Sequence, residues 1–454
     1  MLYKSGKECM IYVDHTSINM KSNIITALKI MAIVVVLTII NCGLLVASFL
    51  LPTSSMRQHF ADSYPLIESE HQYLQWDQGY TSSMLDFWSE YTLYGIAINE
   101  DAEGTAFDKA MFMWYIDTPG LDRDQAVLTY ARYPEEYFEL TAYPRYWNGV
   151  VIFMKLLLMV FTIPDIRMLS MFIHFALFAA TVILMYKNNL KTEIIFLTTA
   201  ILFINPITMI YSVIFSSEYI PMLLCIMAIL FFGDKIAKKK GGWEMLFALT
   251  AAITSFFCFN STPYIAWAIP MVVYIWYTGE VNVVKKTISA SFYWCGSYAL
   301  TWAMKWIICT LFTPFNLIKQ VIERVDIYEN NDNPDNPGVT LTERIMHNLW
   351  AYKTPAFIIL FIVVVLFIVL IALRDKKTEI LHVSTESNMI DIIVGYSLIA
   401  FIPFALYIAL GNGYSYNHAF MTHRLLAITV LAVLCIIHRA TCYCLSRTGN
   451  KKIG

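Results

Sequence analysis

The sequence predicts an all-α, multi-pass membrane protein of about ten transmembrane helices with a large first loop outside the membrane. Three observations predict it. Of 454 residues 58% are apolar and 15% are charged, and runs of roughly twenty apolar residues recur along the chain, the length that spans a hydrocarbon core. Lysines and arginines gather in short clusters between alternate runs. Residues 52–147 form one long polar segment, acidic and aromatic with few basic residues, which belongs outside.

Taken in order, residues 1–23 are a cytoplasmic segment carrying Lys4, Lys7 and Lys21. The first apolar run, 24–51, is too long for a signal-peptide core and lacks a convincing cleavage site, so it is read as a retained anchor. Further spans are expected at approximately 165–186, 193–215, 217–233, 243–259, 263–279, 287–313, 354–373, 388–410 and 424–441. The clusters Lys187 and Lys191, Lys235 to Lys240, Lys285 and Lys286, Arg374 to Lys377, and Arg439 to Lys452 then all fall in the cytoplasm. Both termini lie inside, residues 442–454 form a tail with no soluble module expected after it, and a second outer loop spans 314–353.

This count depends on "YPRYWNGVVIFMK", residues 143–155. A span over 149–163 would cover roughly 22 Å of a core about 30 Å thick and place Lys155 near its centre. It would also export the Lys187 and Lys235 to Lys240 clusters. The stretch 146–163 is therefore expected as a juxtamembrane helix in the outer interface, with Tyr143, Tyr146 and Trp147 as an aromatic belt. Asn205-Pro206, Pro221 and Pro270 should interrupt or kink helices. Short outer turns are expected at Ser216-Ser217-Glu218 and Asn260-Ser261-Thr262, and "NNDNPDNPG" favours turns or disorder.

The same reading excludes several classes. No basic stripe stands apart from the membrane flanks, so nucleic acid is not a partner. There is no Walker loop, no GxGxxG and no His-x-x-x-His pair with a third ligand. None of the nine cysteines lies in either long polar loop, which argues against a disulfide framework.

Charges at membrane depth are costly unless they pair, reach the interface or serve a site. In the outer half these are Lys155, Arg167, Glu218, Lys305, His423 and Arg424, with His418 in the adjacent loop. Interface anchoring accounts equally for Lys155 and Arg167, whereas Lys305 lies about a turn and a half inside its helix. His174 reads as a satisfied core histidine. Above them lie the carboxylates Glu68, Glu70, Asp77, Asp86, Glu90, Asp101, Asp117, Asp122 and Asp124, most of which suit a solvated surface. A cationic pocket below an acidic loop would suit a lipid-linked phosphate and a hydroxyl awaiting deprotonation.

"DQGY" at 77–80, the 143–155 stretch, "IPDIR" and "SSEYIPMLL" together resemble the polytopic GT-C glycosyltransferases of the protein-mannosyltransferase and aminoarabinose-transferase type. Asp77, Tyr80, Tyr146, Trp147, Lys155, Arg167 and Glu218 stand at matching places. Arg145, Lys305, Trp306, His418 and Arg424 resemble features of a further bacterial branch. The resemblance covers the first half of the chain in order and scattered positions in the second. It implies transfer of a sugar from a polyprenyl-phosphate donor to an extracytoplasmic glycan, lipid or protein acceptor, by inverting displacement. In that scheme Asp77 is the base, with Asp86 in reserve. Lys155, Arg167, Lys305 and Arg424 hold the phosphate, while Tyr80, Arg145, Tyr146, Trp147, Glu218, His418 and His423 complete the substrate site. Gln78 replaces the family's usual second acid, so a divalent metal stays open. The rival readings are a polysaccharide polymerase or ligase using pyrophosphate-linked glycans, a lipid or polysaccharide transporter, and an inactive scaffold.

Overall fold

A computed structural model describes residues 20–136, 138–259, 262–322, 338–377, 386–409 and 414–450. Residues Lys4, Lys7, Asn260, Ser261 and Lys452, and positions 330–337 of the Asn- and Asp-rich stretch, lie outside the described residues. The chain is mostly helical, and among the described residues six helices are long and apolar enough to cross a membrane: Asn23–Ser48, Ile163–Lys187, Val213–Ala237, Pro355–Arg374, Asn388–Ala409 and Ala419–Ser446. A multi-pass membrane protein follows from them. Their exposed apolar side chains, such as Val36, Ile40, Ile359 and Leu366, present faces that suit lipid.

The first long helix, α1 (Met20–Ser48), leads into a folded cap. Residues 52–147 build α2 (Ser54–Asp62), α3 (Tyr64–Glu70), α4 (Phe87–Ile98), α5 (Ala106–Phe112) and α6 (Arg123–Arg132). A two-stranded antiparallel ribbon of β1 (Tyr115–Asp117) and β2 (Glu139–Thr141) completes the cap and is a small departure from all-α. Local chemistry sets the boundaries. Asp86 accepts from Ser89 N at the start of α4, and a Thr105–Asp108 capping box starts α5. Phe60, Tyr91 and Tyr94 pack ring to ring inside the cap, whose apolar core is continuous with Trp147, Phe256 and Met304.

The nine-residue helix α7 (Val150–Leu158) is followed by a Thr162–Asp165 capping box that opens α8 (Ile163–Lys187). Next come α9 (Lys191–Ile204), α10 (Pro206–Tyr211) and α11 (Val213–Ala237). Here the expected turn at 216–218 is corrected. Ser216, Ser217 and Glu218 lie inside α11, and the chain turns instead over residues 205–212. Asn205 takes a left-handed φ of 68° before Pro206, which has no N–H to continue a helix, and Ser212 is extended. The Ser216 and Ser217 hydroxyls donate back to Ser212 O and Ile214 O, and Ser216 Oγ also lies 3.1 Å from Ser170 Oγ of α8, so both hydroxyls are satisfied inside the protein.

Then follow α12 (Gly242–Phe257), α13 (Ile265–Tyr277), α14 (Val283–Phe312), α15 (Leu341–Trp350), α16 (Pro355–Lys377), α17 (Glu386–Ala409), α18 (Ala419–Thr422) and α19 (Leu426–Asn450). Pro221 and Pro270 sit inside α11 and α13. The expected count of ten exceeds the six helices above. At 14, 16 and 13 residues, α9, α12 and α13 would cover roughly 20–24 Å against a core of about 30 Å. α13 is buried along nearly its whole length, so its length answers to protein neighbours rather than to lipid.

Candidate functional site at the seam between cap and helices

Lys155, Arg167, Lys305 and Arg424 are buried and engaged where the cap meets the long helices. Lys155 is 1% exposed; its ammonium donates to Ala97 O at 2.6 Å and lies 4.9 Å from the Phe49 ring centre. Ala97 is in the last turn of α4, so Lys155 satisfies an end carbonyl and faces the negative pole of that helix. Anchoring by reach to the interface is thereby replaced by helix capping. Burial, with a smaller contribution from the Lys109 charge, lowers its pKa to about 8.

Lys305, in α14, repeats the device. Its ammonium donates to Ala110 O in the last turns of α5 at 2.9 Å and lies 5.2 Å from the centre of Trp147. Trp147 is buried and donates to Thr301 O at 2.7 Å. One residue earlier, Tyr146 stacks on Trp302 at 5.6 Å, and Arg145 O accepts from both Trp302 and Trp306. The Arg145 guanidinium lies 5.1 Å from the Tyr143 ring centre. Residues 143–147 and α14 thus form one aromatic clasp, with Lys305 reaching from it into the cap.

Arg167 Nη1 donates to both carboxylate oxygens of Glu70, at 2.7 and 2.6 Å, and the guanidinium lies over Phe87. Glu90 senses both charges and is pushed up to about 7 mainly by burial, with the Arg167 charge opposing; it also accepts from Val213 N at the start of α11. Glu70 and Glu90 are therefore interior groups and not members of a solvated loop surface. Glu218 is likewise committed: its carboxylate accepts from Thr262 N at 2.9 and 3.0 Å and from the Thr262 hydroxyl, fixing the approach to α13.

Arg424 stands at the start of the last long helix and is fully buried. It donates to Phe420 O at 2.8 Å and to Met84 O of the cap at 3.0 Å, and lies over Phe215 at 4.9 Å. Two residues beyond Met84 is Asp86, 3% exposed, whose carboxyl is raised by burial against the lowering effects of Ser89 and of the nearby His418 and Arg424 charges. His423 is buried, its Nδ1 2.8 Å from Ala419 O. The Tyr352 hydroxyl lies 3.1 Å from His423 O and 2.6 Å from Phe203 O. His418 is exposed between the rings of Tyr414 and Phe420.

Asp77 has a different setting. It is exposed, and its carboxylate accepts from Gly79 N at 3.0 Å in a turn that Tyr80 N closes on Asp77 O. The loop carrying Asp77 and Tyr80 is pinched at its base by the Gln75–Met84 bridge, so the Arg424–Met84 bond grips that base. The seam therefore brings Asp86, Arg424, His423 and His418 together. Lys155, Lys305 and Arg167 each hold a separate cap element. His174 is bound to Ser170 O at 2.7 Å, as a core histidine would be. Tyr352 and Asn348, which bonds the Thr422 hydroxyl at 2.7 Å, carried no sequence signal because a single Tyr or Asn beside an apolar run reads as an interface residue.

A divalent metal stayed open at Asp77–Gln78; among the described residues, no three His, Cys, Asp or Glu side chains gather to hold one. None of the eight described cysteines forms a disulfide with another described residue. Compared with known proteins, the chain matches no family model, no curated protein and no solved structure.

Proposed function

We propose that this protein is a membrane glycosyltransferase. It moves a sugar from a polyprenyl-phosphate donor to a hydroxyl of a glycan, lipid or protein acceptor outside the cell membrane. The observation that carries this reading is the buried Asp86 carboxyl in the field of Arg424 and His418, where a folded cap sits on apolar helices. In this reading a lipid-borne phosphate approaches the seam from the helix side and a polar acceptor from the cap side. The GT-C resemblance in the first half of the chain is the other support for this reading.

In this reading the acceptor oxygen attacks the anomeric carbon. The bond from that carbon to the phosphate oxygen breaks, the phosphate leaves with the electron pair, and configuration inverts. Asp86, close to the guanidinium, takes the acceptor's proton. Arg424 stabilises charge growing on the departing phosphate. His418 and His423 flank it, while Asp77 and Tyr80 on the cap loop contact the acceptor. Arg145, Tyr146, Trp147, Lys155, Arg167, Glu218 and Lys305 position the cap and the helix ends around the seam.

The test is transfer by purified protein in lipid nanodiscs supplied with a panel of polyprenyl-phosphate sugars, read by the mass of donor lipid and acceptor. Inverted glycosidic product from a monophosphate donor supports the proposal. Product only from pyrophosphate-linked glycans would assign a polymerase or ligase, and lipid movement without a new glycosidic bond would assign a transporter.

A further inference from the structure

A groove lies at the far end of the first helix. Ser48 of α1 joins the cap, and Lys29 lies 19 residues earlier, roughly 28 Å along the helix axis. There α1 meets the turn between α11 and α12, and a groove of about 560 Å³ opens between them. Its walls are apolar, among them Ile33, Met245 and Leu249, and its charged lining residues are Lys29, Lys239 and Lys240. Among the described residues, no acidic side chain lines it.

The turn is built to close on α1. Gly241 has a φ of +70°, and a Cβ there would lie 2.5 Å from the Thr26 side chain. Glycine supplies both the left-handed backbone and the close approach. The consequence is that Lys239 and Lys240 are held beside Lys29, while Ile33 remains 43% exposed.

We infer that this groove binds one anionic phospholipid, with the phosphate headgroup at Lys29, Lys239 and Lys240 and an acyl chain along Ile33, Met245 and Leu249. Charge and shape select this occupant. Three lysines gathered at one end favour an anion, and the apolar walls favour a chain that a soluble phosphate lacks. The site is separate from the seam, so it stands whether or not the protein transfers sugar.

Native mass spectrometry of the full-length protein, titrated with phosphatidylglycerol, phosphatidylcholine or glycerol phosphate, tests it. The wild type should retain one phosphatidylglycerol preferentially, and glycerol phosphate should not compete. K29Q/K239Q/K240Q should weaken that retention by about fivefold per lysine removed. M245W, which fills the groove without changing charge, should abolish the preferential adduct while thermal unfolding shows the protein folded. Equal retention of phosphatidylcholine, competition by glycerol phosphate, or unchanged retention in the folded M245W protein would overturn the inference.

Discussion

Arg424 Nη2 donates to the carbonyl of Met84 at 3.0 Å, joining the start of the last long helix to the cap two residues before Asp86. A second bond to Phe420 O holds the same guanidinium to its own helix. One side chain thus fixes both the loop base and the charge that Asp86 experiences. Arg424→Lys keeps the charge but loses the planar fork that spans both carbonyls. It should lower transfer by at least about tenfold with a modest loss of stability. Arg424→Gln, which removes the charge beside Asp86, should lower transfer by roughly 10²-fold or more. Steady-state transfer and thermal unfolding of both variants separate these effects; wild-type rates in Arg424→Gln would remove Arg424 from the chemistry.

The two loop aspartates should respond differently. Asp86 is buried and raised by that burial, whereas Asp77 is exposed and occupied with Gly79 N. Asp86→Asn should reduce turnover by about 10²–10⁴-fold, the span usual for losing a general base. Asp77→Asn can still accept from Gly79 N and should retain turnover within a few-fold, with any effect appearing in acceptor KM. The reverse pattern would return the base to Asp77.

The fold was legible in the sequence where one property decided it. Apolar runs located the long helices, and the short apolar stretch before Ile163 located the separate helix α7. The turn at 205–212 was hidden because Ser216, Ser217 and Glu218 look like loop residues in one dimension. Their partners, Ser212 O, Ile214 O and Thr262, are supplied by the helix and by a distant chain segment. The cations were legible as expensive charges, but not their partners. Lys155 and Lys305 meet carbonyls 58 and 195 residues away, contacts that only tertiary packing creates.

Those carbonyl contacts make Lys155 and Lys305 positioning residues with a measurable signature. Lys155→Met and Lys305→Met should each destabilise the protein by about 1–3 kcal/mol, since each leaves a buried helix-end carbonyl unmet. Protease cleavage should increase first in the cap, near α4 for Lys155 and near α5 for Lys305. Donor KM should change less than in Arg424→Gln. A Lys305→Met protein with native stability and a strongly raised donor KM would place Lys305 on the phosphate instead.

Glu90 gives the pH dependence its sign. Its carboxyl has an ordinary value of 4.5 and is raised to about 7, chiefly by burial, with Arg167 lowering it and Glu70 raising it. Between these values the folded protein binds more protons than the unfolded chain, so this group's contribution to stability is full below about 4.5 and is lost as pH rises through about 7. The shift corresponds to an upper bound on the order of 3 kcal/mol. Glu90→Gln keeps an oxygen for Val213 N while removing the titration. Thermal unfolding from pH 5 to 8 should therefore show a downward slope in the wild type that is flatter in Glu90→Gln. The Arg167–Glu70 pair should behave separately, with Arg167→Gln costing about 3–5 kcal/mol because a buried carboxylate loses its partner. Equal slopes for wild type and Glu90→Gln would show that Glu90 does not titrate in this window and that the interior charge is balanced by Arg167 alone.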